Sequence, residues 1–287
     1  MAEHAAPFGI WLVDKPAGPT SHDVVAGIRK QVGKGVRVGH AGTLDPFATG
    51  LLVVLIGKAT RLVQFLTLLD KTYRARVRLG ATSQTGDPEG PIAPTGARPP
   101  DLAEVRQAVA ALPGEHRQVV PALAAVKIDG EPLYRRTRRG EEVELPERDI
   151  TITRAQLVGD DLADGWIDVE VTCSKGTYIR QLATDLGATL GCGGYCEALR
   201  RLSVGTLHVD AAVAPDRVRA FGGIDARTAL APMPVRLLDG RELIEVGHGR
   251  VVPGDAEGPV MLVSDDALVA IAYPRDEGLL QPRIVLA

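Results

Sequence analysis

The hydrophobic and polar positions along the chain follow two periods, one typical of strands and one typical of helices. Residues 71–80, KTYRARVRLG, alternate strictly, so the odd-numbered positions from Tyr73 to Leu79 face one side of a predicted strand and three arginines face the other. Residues 166–174, WIDVEVTCS, alternate in the same way. Residues 51–57, LLVVLIG, are apolar almost throughout, which predicts a central strand that is buried on both faces.

Three longer segments have the spacing of amphipathic helices. The first begins at the Thr20-x-x-Asp23 signal, and the second spans residues 101–112 and is closed by Pro113-Gly114. The third begins near Thr177 and carries a stripe of aliphatic residues. We also expect short helical segments at residues 58–66 and around Arg200 and Arg201.

This irregular mixture of strands and helices predicts an α+β fold around a largely antiparallel central sheet. Residues 211–234 lack a clear period and end in two prolines, so we place a domain boundary there. Residues 1–231 would form the larger domain. Residues 232–287 contain several short strand-like segments between Gly and Pro turns and would form a small β-rich domain.

The composition is that of an ordinary globular protein, with 45% hydrophobic and 24% charged residues. No run approaches the roughly 18 apolar residues of a membrane span, and the N-terminus has no secretory pattern. Three cysteines without an export signal favour reduced thiols, so we expect a cytoplasmic protein. Because no large exposed apolar stripe is evident, we also expect a monomer without a membrane partner.

The cysteines offer only a weak indication of a metal site. Cys192 and Cys196 form a C-x3-C pair, but no second pair of ligands stands nearby, and the nearest histidine, His208, lies in a strand-like segment. We therefore expect no metal.

Charge is distributed unevenly along the chain. The net charge is −3, and residues 232–287, with five arginines and nine acidic residues, have a net charge of −4. A polyanion would therefore meet local basic patches in the larger domain. One candidate is the arginine face of residues 71–80, for which a solvated surface and a phosphate-binding surface are equally good interpretations. A second is the cluster formed by Arg135, Arg136, Arg138 and Arg139.

Residues 39–50, GHAGTLDPFATG, are rich in turn-forming residues and run directly into the buried strand. Asp45 before Pro46 could simply cap a turn, and His40 could be a structural histidine. A glycine-rich loop on a rigid strand could equally bring a carboxylate close to a ligand. No second carboxylate, Ser-His-Asp set or phosphate-binding loop is evident, so a lone aspartate suits nucleophilic or electrostatic catalysis.

Four segments together resemble a known family: GHAGTLDPFATGLLVVLIGKATR, KTYRARVRLG, SKGTYIRQLATDLG and GCGGYCEALRRL. In this order they are similar to the TruB-type tRNA pseudouridine synthases, which convert uridine 55 of the tRNA T loop to pseudouridine. The resemblance covers residues 9 to about 210. It implies the pseudouridine-synthase fold, a flipped-out base, a tRNA T stem-loop as partner, and no metal or organic cofactor.

The resemblance also implies roles for individual residues. Asp45 matches the essential aspartate, Tyr73 the aromatic residue that stacks on the target base and acts in proton removal, and Arg180 the arginine that pairs with the aspartate. We expect Arg180 to lower the pKa of Asp45. The remaining matches are His40, which helps to displace the uridine, Tyr178 and Leu199, which pack around the uracil, and Lys15, near the pocket.

The family carries an RNA-clamping insertion at the position of residues 122–148, which contains the basic cluster. We expect Lys127 and the arginines at 135–139 to contact RNA. Leu123 and Ala124 replace the Tyr-Ser that is usual in the family, which removes two hydroxyl groups. The acidic tail occupies the position of the family's RNA-binding PUA domain, where a charge of −4 is poorly suited to holding a polyanion.

Two other classes of function remain as alternatives. An RNA-binding or tRNA-folding module without catalysis would use the same basic patches, but it would not need Asp45 and Arg180 together. A glycosidase would need a second carboxyl within about 10 Å of Asp45, and the spacing suggests none.

Overall fold

A computed structural model describes residues 8–121, 127–128, 130–133, 136, 139, 141, 143–218, 222–276 and 278–286. The helices are α1 (Ser21–Val32), α2 (Val63–Leu68), α3 (Leu102–Ala110), α4 (Ile179–Thr189), α5 (Ala226–Ala229) and α6 (Gly240–Gly247), with 3-10 turns at Gly57–Leu62, Val209–Ala211 and Pro215–Arg217. The strands are β1 (Gly9–Lys15), β2 (Val38–His40), β3 (Thr49–Ile56), β4 (Lys71–Leu79), β5 (Ala81–Ser83), β6 (Ile92–Pro94), β7 (Gly114–Val119), β8 (Lys127–Ile128), β9 (Glu131–Pro132), β10 (Glu147–Asp161), β11 (Trp166–Cys173), β12 (Gly194–Val204), β13 (Leu207–His208), β14 (Val235–Leu237), β15 (Val252–Pro253), β16 (Val260–Ser264), β17 (Ala267–Arg275) and β18 (Leu279–Val285).

The central sheet has the strand order β1-β3-β12-β4-β11-β10-β7, with β2 and β13 pairing beside this path. Its neighbouring strands are antiparallel except for the parallel pair β3–β12. This confirms the predicted α+β fold with a mixed, largely antiparallel sheet. Strand β3 lies inside the sheet, and its residues from Leu51 to Ile56 have no exposed surface, as their unbroken apolar run predicted.

The prediction of a short helix around Arg200 and Arg201 was wrong, because both residues lie in β12. This strand pairs with β4 along one edge and with β3 along the other. Pairing on both sides satisfies the backbone, and such tertiary contacts override the helical preference of a short sequence.

The two faces of β4 differ as the alternation predicted. Ala75, Val77 and Leu79 are buried in the core, whereas the three arginines point to the other side. Each arginine forms an ion pair with a neighbouring strand: Arg74 with Glu170, Arg76 with Asp168 and Arg78 with Glu197. The structure therefore favours a solvated, ion-paired face over a phosphate-binding one.

Helices α1 and α3 begin within one residue of their predicted starts. Thr20 and Asp23 form a capping box at the start of α1, and Asp101 and Glu104 form one at the start of α3. Helix α4 buries its aliphatic stripe against the central sheet. None of the helices in the described part of the chain is long and apolar enough to span a bilayer.

The C-terminal strands form a second, five-stranded sheet in the order β14-β16-β17-β18-β15, accompanied by helix α6, which the strand-like pattern did not predict. One face of this sheet contributes Met261, Val263 and Ile271 to a core that it shares with β1 and β3. The opposite face packs on α6. The shared core fixes the C-terminal sheet against the central one.

Candidate active site

A cavity of about 320 Å³ opens beside the loop that precedes β3. Four segments line it: the loop before β3, the end of α2 with the start of β4, the loop leading into α4, and β12. The functional side chains among the lining residues are Asp45, Lys71, Tyr73, Tyr178, Arg180, Leu199 and Arg201. The fold thus brings together Asp45, Tyr73, Tyr178, Arg180 and Leu199, which the sequence placed in four separate motifs.

Asp45 lies in a turn closed by a hydrogen bond from the Ala48 amide to the Asp45 carbonyl oxygen, at 3.1 Å. Its carboxylate Oδ2 is 2.9 Å from Nε of Arg180, and about a third of the Asp45 side chain remains exposed to the cavity (35%). The Nε–H bond is not aimed at this oxygen, so the contact is chiefly an ion pair. This contact with a charged group at an opening favours the catalytic interpretation over a turn cap.

Arg180 serves two carboxylates. Its Nη1 donates to Oδ2 of Asp87 at 2.9 Å and to the carbonyl oxygen of Thr85 at 3.1 Å. Asp87 is almost fully buried and accepts further hydrogen bonds from the Thr85 hydroxyl (2.5 Å) and the Glu89 amide (3.0 Å). The sequence analysis missed Asp87, because its segment has the composition of an ordinary loop and no spacing connects it with Arg180.

Burial raises the pKa of Asp45 above its ordinary value. Arg180 acts in the opposite direction, while the negative charge of Asp87 adds to the increase. Arg180 thus lowers this pKa as predicted, but burial and Asp87 outweigh it, so the net shift is upward. The reason is physical: the carboxylate loses hydration inside the cavity, and it shares its only ion-pair partner in the described structure with a second carboxylate.

Arg201 organises the opposite wall of the cavity and was also missed by the sequence analysis. Its guanidinium donates to the carbonyl oxygens of Leu51 (2.6 Å) and Gly42 (3.0 Å), and its positive charge acts to lower the pKa of Tyr73. A side chain at Gly50, which has a φ of +98°, would place Cβ 2.3 Å from the Arg201 carbonyl oxygen. Glycine is therefore required where the loop enters β3.

Aromatic and aliphatic side chains complete the cavity. Burial raises the pKa of Tyr73 and of Tyr178, so both phenols are held in the neutral form. The guanidinium carbon of Arg148, a residue that the sequence did not single out, lies 5.5 Å from the centre of the Tyr178 ring. Leu199 adds an apolar wall.

Comparison with known proteins identifies the family. Residues 29–179 match the sequence model described as "TruB family pseudouridylate synthase (N terminal domain)". The chain belongs to the TruB family. It is 46% identical to tRNA pseudouridine synthase B of Thermobifida fusca (strain YX), with 97% of this chain and 98% of the relative aligned. It is 42% identical to the protein of the same name from Synechococcus sp. (strain WH7803), with 98% of each aligned. These matches confirm the resemblance and the prediction of a pseudouridine synthase.

Solved structures agree on the fold of this TruB-family chain. A chain in "Structure of H/ACA RNP bound to a substrate RNA containing 2'-deoxyuridine" is 23% identical with a TM-score of 0.73, covering 98% of this chain and 85% of that one. A chain in "Crystal Structure of a Cbf5-Nop10-Gar1 Complex" is 24% identical with a TM-score of 0.75, covering 98% and 86%. At this identity the likeness supports the fold alone.

Lys15 occupies a supporting position in this TruB-family site. The side chain has no exposed surface, and Nζ donates to the carbonyl oxygens of Pro16 (2.9 Å), Pro46 (3.1 Å) and Ala48 (2.7 Å). Lys15 does not line the cavity. It therefore holds the Asp45 turn from behind, near the cavity but not in its wall.

His40 lies at the end of β2 and also outside the cavity lining. Burial and the nearby charge of Arg201 lower its pKa, so the imidazole is neutral at pH 7. Within the described residues, its buried Nδ1 has no hydrogen-bond partner.

The predicted basic cluster is only partly described. Arg135, Arg138, Leu123 and Ala124 lie outside the described residues, and only the backbone of Lys127 is placed, in β8. Arg136 donates to Glu141 at 2.9 Å, and Arg139 donates to Glu131 at 2.6 Å and to Glu141 at 2.8 Å. Neighbouring acids thus offset much of the described positive charge.

For a metal, the described residues offer no group of three or more His, Cys, Asp or Glu side chains in a suitable arrangement. Cys173, Cys192 and Cys196 are buried and free.

Proposed function

We propose that this TruB-family chain isomerises uridine 55 in the T loop of tRNA to pseudouridine, using Asp45 as the catalytic carboxylate and no cofactor. The observation that carries the proposal is the ion pair between Asp45 and Arg180 inside a cavity with aromatic and aliphatic walls. Relatives that align over nearly the whole chain are named tRNA pseudouridine synthase B, which supports tRNA as the substrate.

The reaction must break the bond between C1′ and N1, rotate the freed uracil and join C1′ to C5. N1 gains a proton, and C5 loses its proton to a base or to water. Addition of Asp45 to C1′, its addition to C6, and formation of a glycal are three routes to this result, and each requires an ionised carboxylate. The Arg180 guanidinium would hold that carboxylate in place during the rotation.

A base inside a folded loop must first leave its stack, at a cost of a few kcal/mol. Stacking on Tyr73 would return about 1–3 kcal/mol. Tyr178 and Leu199 would keep the detached uracil from escaping, because they close the apolar side of the cavity. We propose that His40 helps to displace the base, and that Tyr73 assists proton removal in a later step.

RNA outside the cavity would be held by phosphate contacts. We propose that Lys127 and the arginines at positions 135, 136, 138 and 139 supply them from an insertion at about residues 122–148. We further propose that residues 1–231 form the catalytic domain, that residues 232–287 form a PUA-like domain that stabilises it, and that the protein acts as a monomer.

Release of tritium from C5-labelled uridine in a T stem-loop transcript tests this proposal. Asp45→Asn should keep the fold and the RNA affinity but abolish release, because it removes the charge and preserves the shape. Asp168→Asn is the matched control, since it removes a carboxylate from an ion pair on the outer face of the sheet. Wild-type protein that binds the RNA without releasing label would instead indicate a binding module, and retained release by Asp45→Asn would assign the chemistry to another group.

A further inference from the structure

A second and larger hollow, which we call the α2 groove, lies on the other side of helix α2 from the active site. Its volume is about 790 Å³, and it runs between α2, residues 230–236 and residues 254–260. Thr67 of α2 lines the active-site cavity, whereas Phe65 and Leu68 of the same helix line the groove. The helix is therefore a wall common to both.

The groove is apolar and preformed. Leu68 and Val235 line it and remain 53% and 44% exposed, which is unusual for large apolar side chains on one continuous surface. Three of the lining residues, Pro232, Pro234 and Pro259, have restricted backbones that help to hold the walls apart. Such a surface gains free energy when a partner removes it from water.

The charged residues that line the α2 groove indicate which kind of partner it can bind. Arg236 is the cation among the lining residues, and it is neutralised by two hydrogen bonds to Glu242. Asp255 and Glu257 also line the groove, and neither forms an ion pair with a described residue. The groove therefore carries net negative charge, which repels nucleic-acid phosphates and attracts a basic segment.

We propose that the α2 groove docks a basic, amphipathic segment of a partner protein. The segment would place apolar side chains against Leu68 and Val235, and lysines or arginines beside Asp255 and Glu257. This inference does not depend on the role of Asp45. It does place the partner on helix α2, which also contacts the active site. Lys71, which lines the cavity, donates a hydrogen bond to the Thr67 carbonyl oxygen of this helix at 2.6 Å.

The methionines provide a direct test. The chain has three, Met1, Met233 and Met261; Met233 lines the groove, and Met261 is buried in the shared core. Protein labelled with ¹³C at the methionine methyls would be titrated with three synthetic peptides that share one Leu/Phe core and carry Lys, Gln or Glu flanks. We expect a saturable shift of the Met233 methyl with the Lys-flanked peptide, a weaker one with Gln, none with Glu, and a stationary Met261 methyl.

Variants then identify the contacts. Asp255→Lys/Glu257→Lys should weaken binding of the Lys-flanked peptide by about tenfold or more, whereas Asp160→Lys/Asp161→Lys, an equal change of charge on exposed residues of β10, should not. Leu68→Gln should weaken it, and Ile244→Gln, at an equally exposed position on α6, should not. The proposal is overturned if no peptide shifts Met233, if the three flanks act alike, or if a T stem-loop RNA shifts Met233 while the Lys-flanked peptide does not.

Discussion

Arginine–carboxylate pairs occur in two very different regions of the molecule, beside the active-site cavity and on the outer face of the central sheet. Beside the cavity, the side chains of Arg180 and Asp87 are only 5% and 4% exposed, and one guanidinium pairs with both Asp45 and Asp87. On the outer face of β4, Arg74 and Arg76 are 53% and 38% exposed, and each has a carboxylate of its own. The chemical groups are the same, but their hydration and their ratio of charges differ.

The difference explains what each set can do. An exposed pair contributes about 0–1 kcal/mol, because water already stabilises both charges. A buried pair is poorly hydrated, so removing one partner costs about 3–5 kcal/mol and the pKa values of the group depend on every neighbour. The buried network of Arg180, Asp45 and Asp87 can therefore adjust the pKa of Asp45, whereas the outer pairs mainly keep that face of the sheet hydrated.

Among the variants that test this comparison, Asp87→Asn should have the largest effect on turnover. The variant leaves Arg180 without its second charged partner, so we expect kcat at neutral pH to fall by about a hundredfold, equivalent to ~2.7 kcal/mol. Because the charge of Asp87 raises the pKa of Asp45, its removal should move the acid limb of the kcat/KM profile to lower pH. Tritium release measured across pH would show this, with Asp168→Asn as the control. An acid limb that moves to higher pH would contradict the network.

Lys15→Met should act on stability. It removes the ammonium that donates to the carbonyl oxygens of Pro46 and Ala48 in the Asp45 turn and to that of Pro16, so we expect the free energy of unfolding to fall by about 2 kcal/mol. Urea unfolding would measure the loss, and Lys30→Met, at an exposed position of α1, should change little. Equal stability of the two variants would mean that the buried ammonium does not support the turn.

On the outer face of β4, the interaction energy between an arginine and its carboxylate should be much smaller than in the buried network. A double-mutant cycle with Arg76→Gln and Asp168→Asn should give an interaction energy below about 1 kcal/mol. Arg76 also stacks 3.8 Å above the Trp166 ring, and part of the single-variant effect would come from that contact. A coupling above about 2 kcal/mol would remove the distinction between the two regions.

The smallest effect, a modest loss of RNA affinity, should come from replacing Arg136 and Arg139 of the basic cluster. Arg136→Gln/Arg139→Gln should weaken binding of different RNAs alike and reduce the slope of log K against log[salt] by about one. We expect no more than this, because Glu131 and Glu141 already engage these arginines. An unchanged slope would show that the cluster does not contact phosphates.

The sequence by itself determined several central strands, the positions of the long helices and the family motifs. Alternation identified β4 and β11, and an unbroken apolar run identified β3. A capping signal located the start of α1, and helical spacing that ends at Pro113-Gly114 located α3. These features depend on neighbours a few residues apart, so a one-dimensional pattern records them. The same is true of the motifs that contain Asp45, Tyr73 and Arg180.

Tertiary structure alone decided the rest. It made Arg200 and Arg201 part of a strand, placed Asp87 on Arg180 from 93 residues away, and made burial outweigh Arg180 in setting the pKa of Asp45. It also buried Lys15 behind the loop and assembled the α2 groove from three distant segments. Each of these outcomes depends on which remote groups meet and on how much water they exclude. Hydrophobic periodicity records which face of an element is buried, but not what lies opposite it.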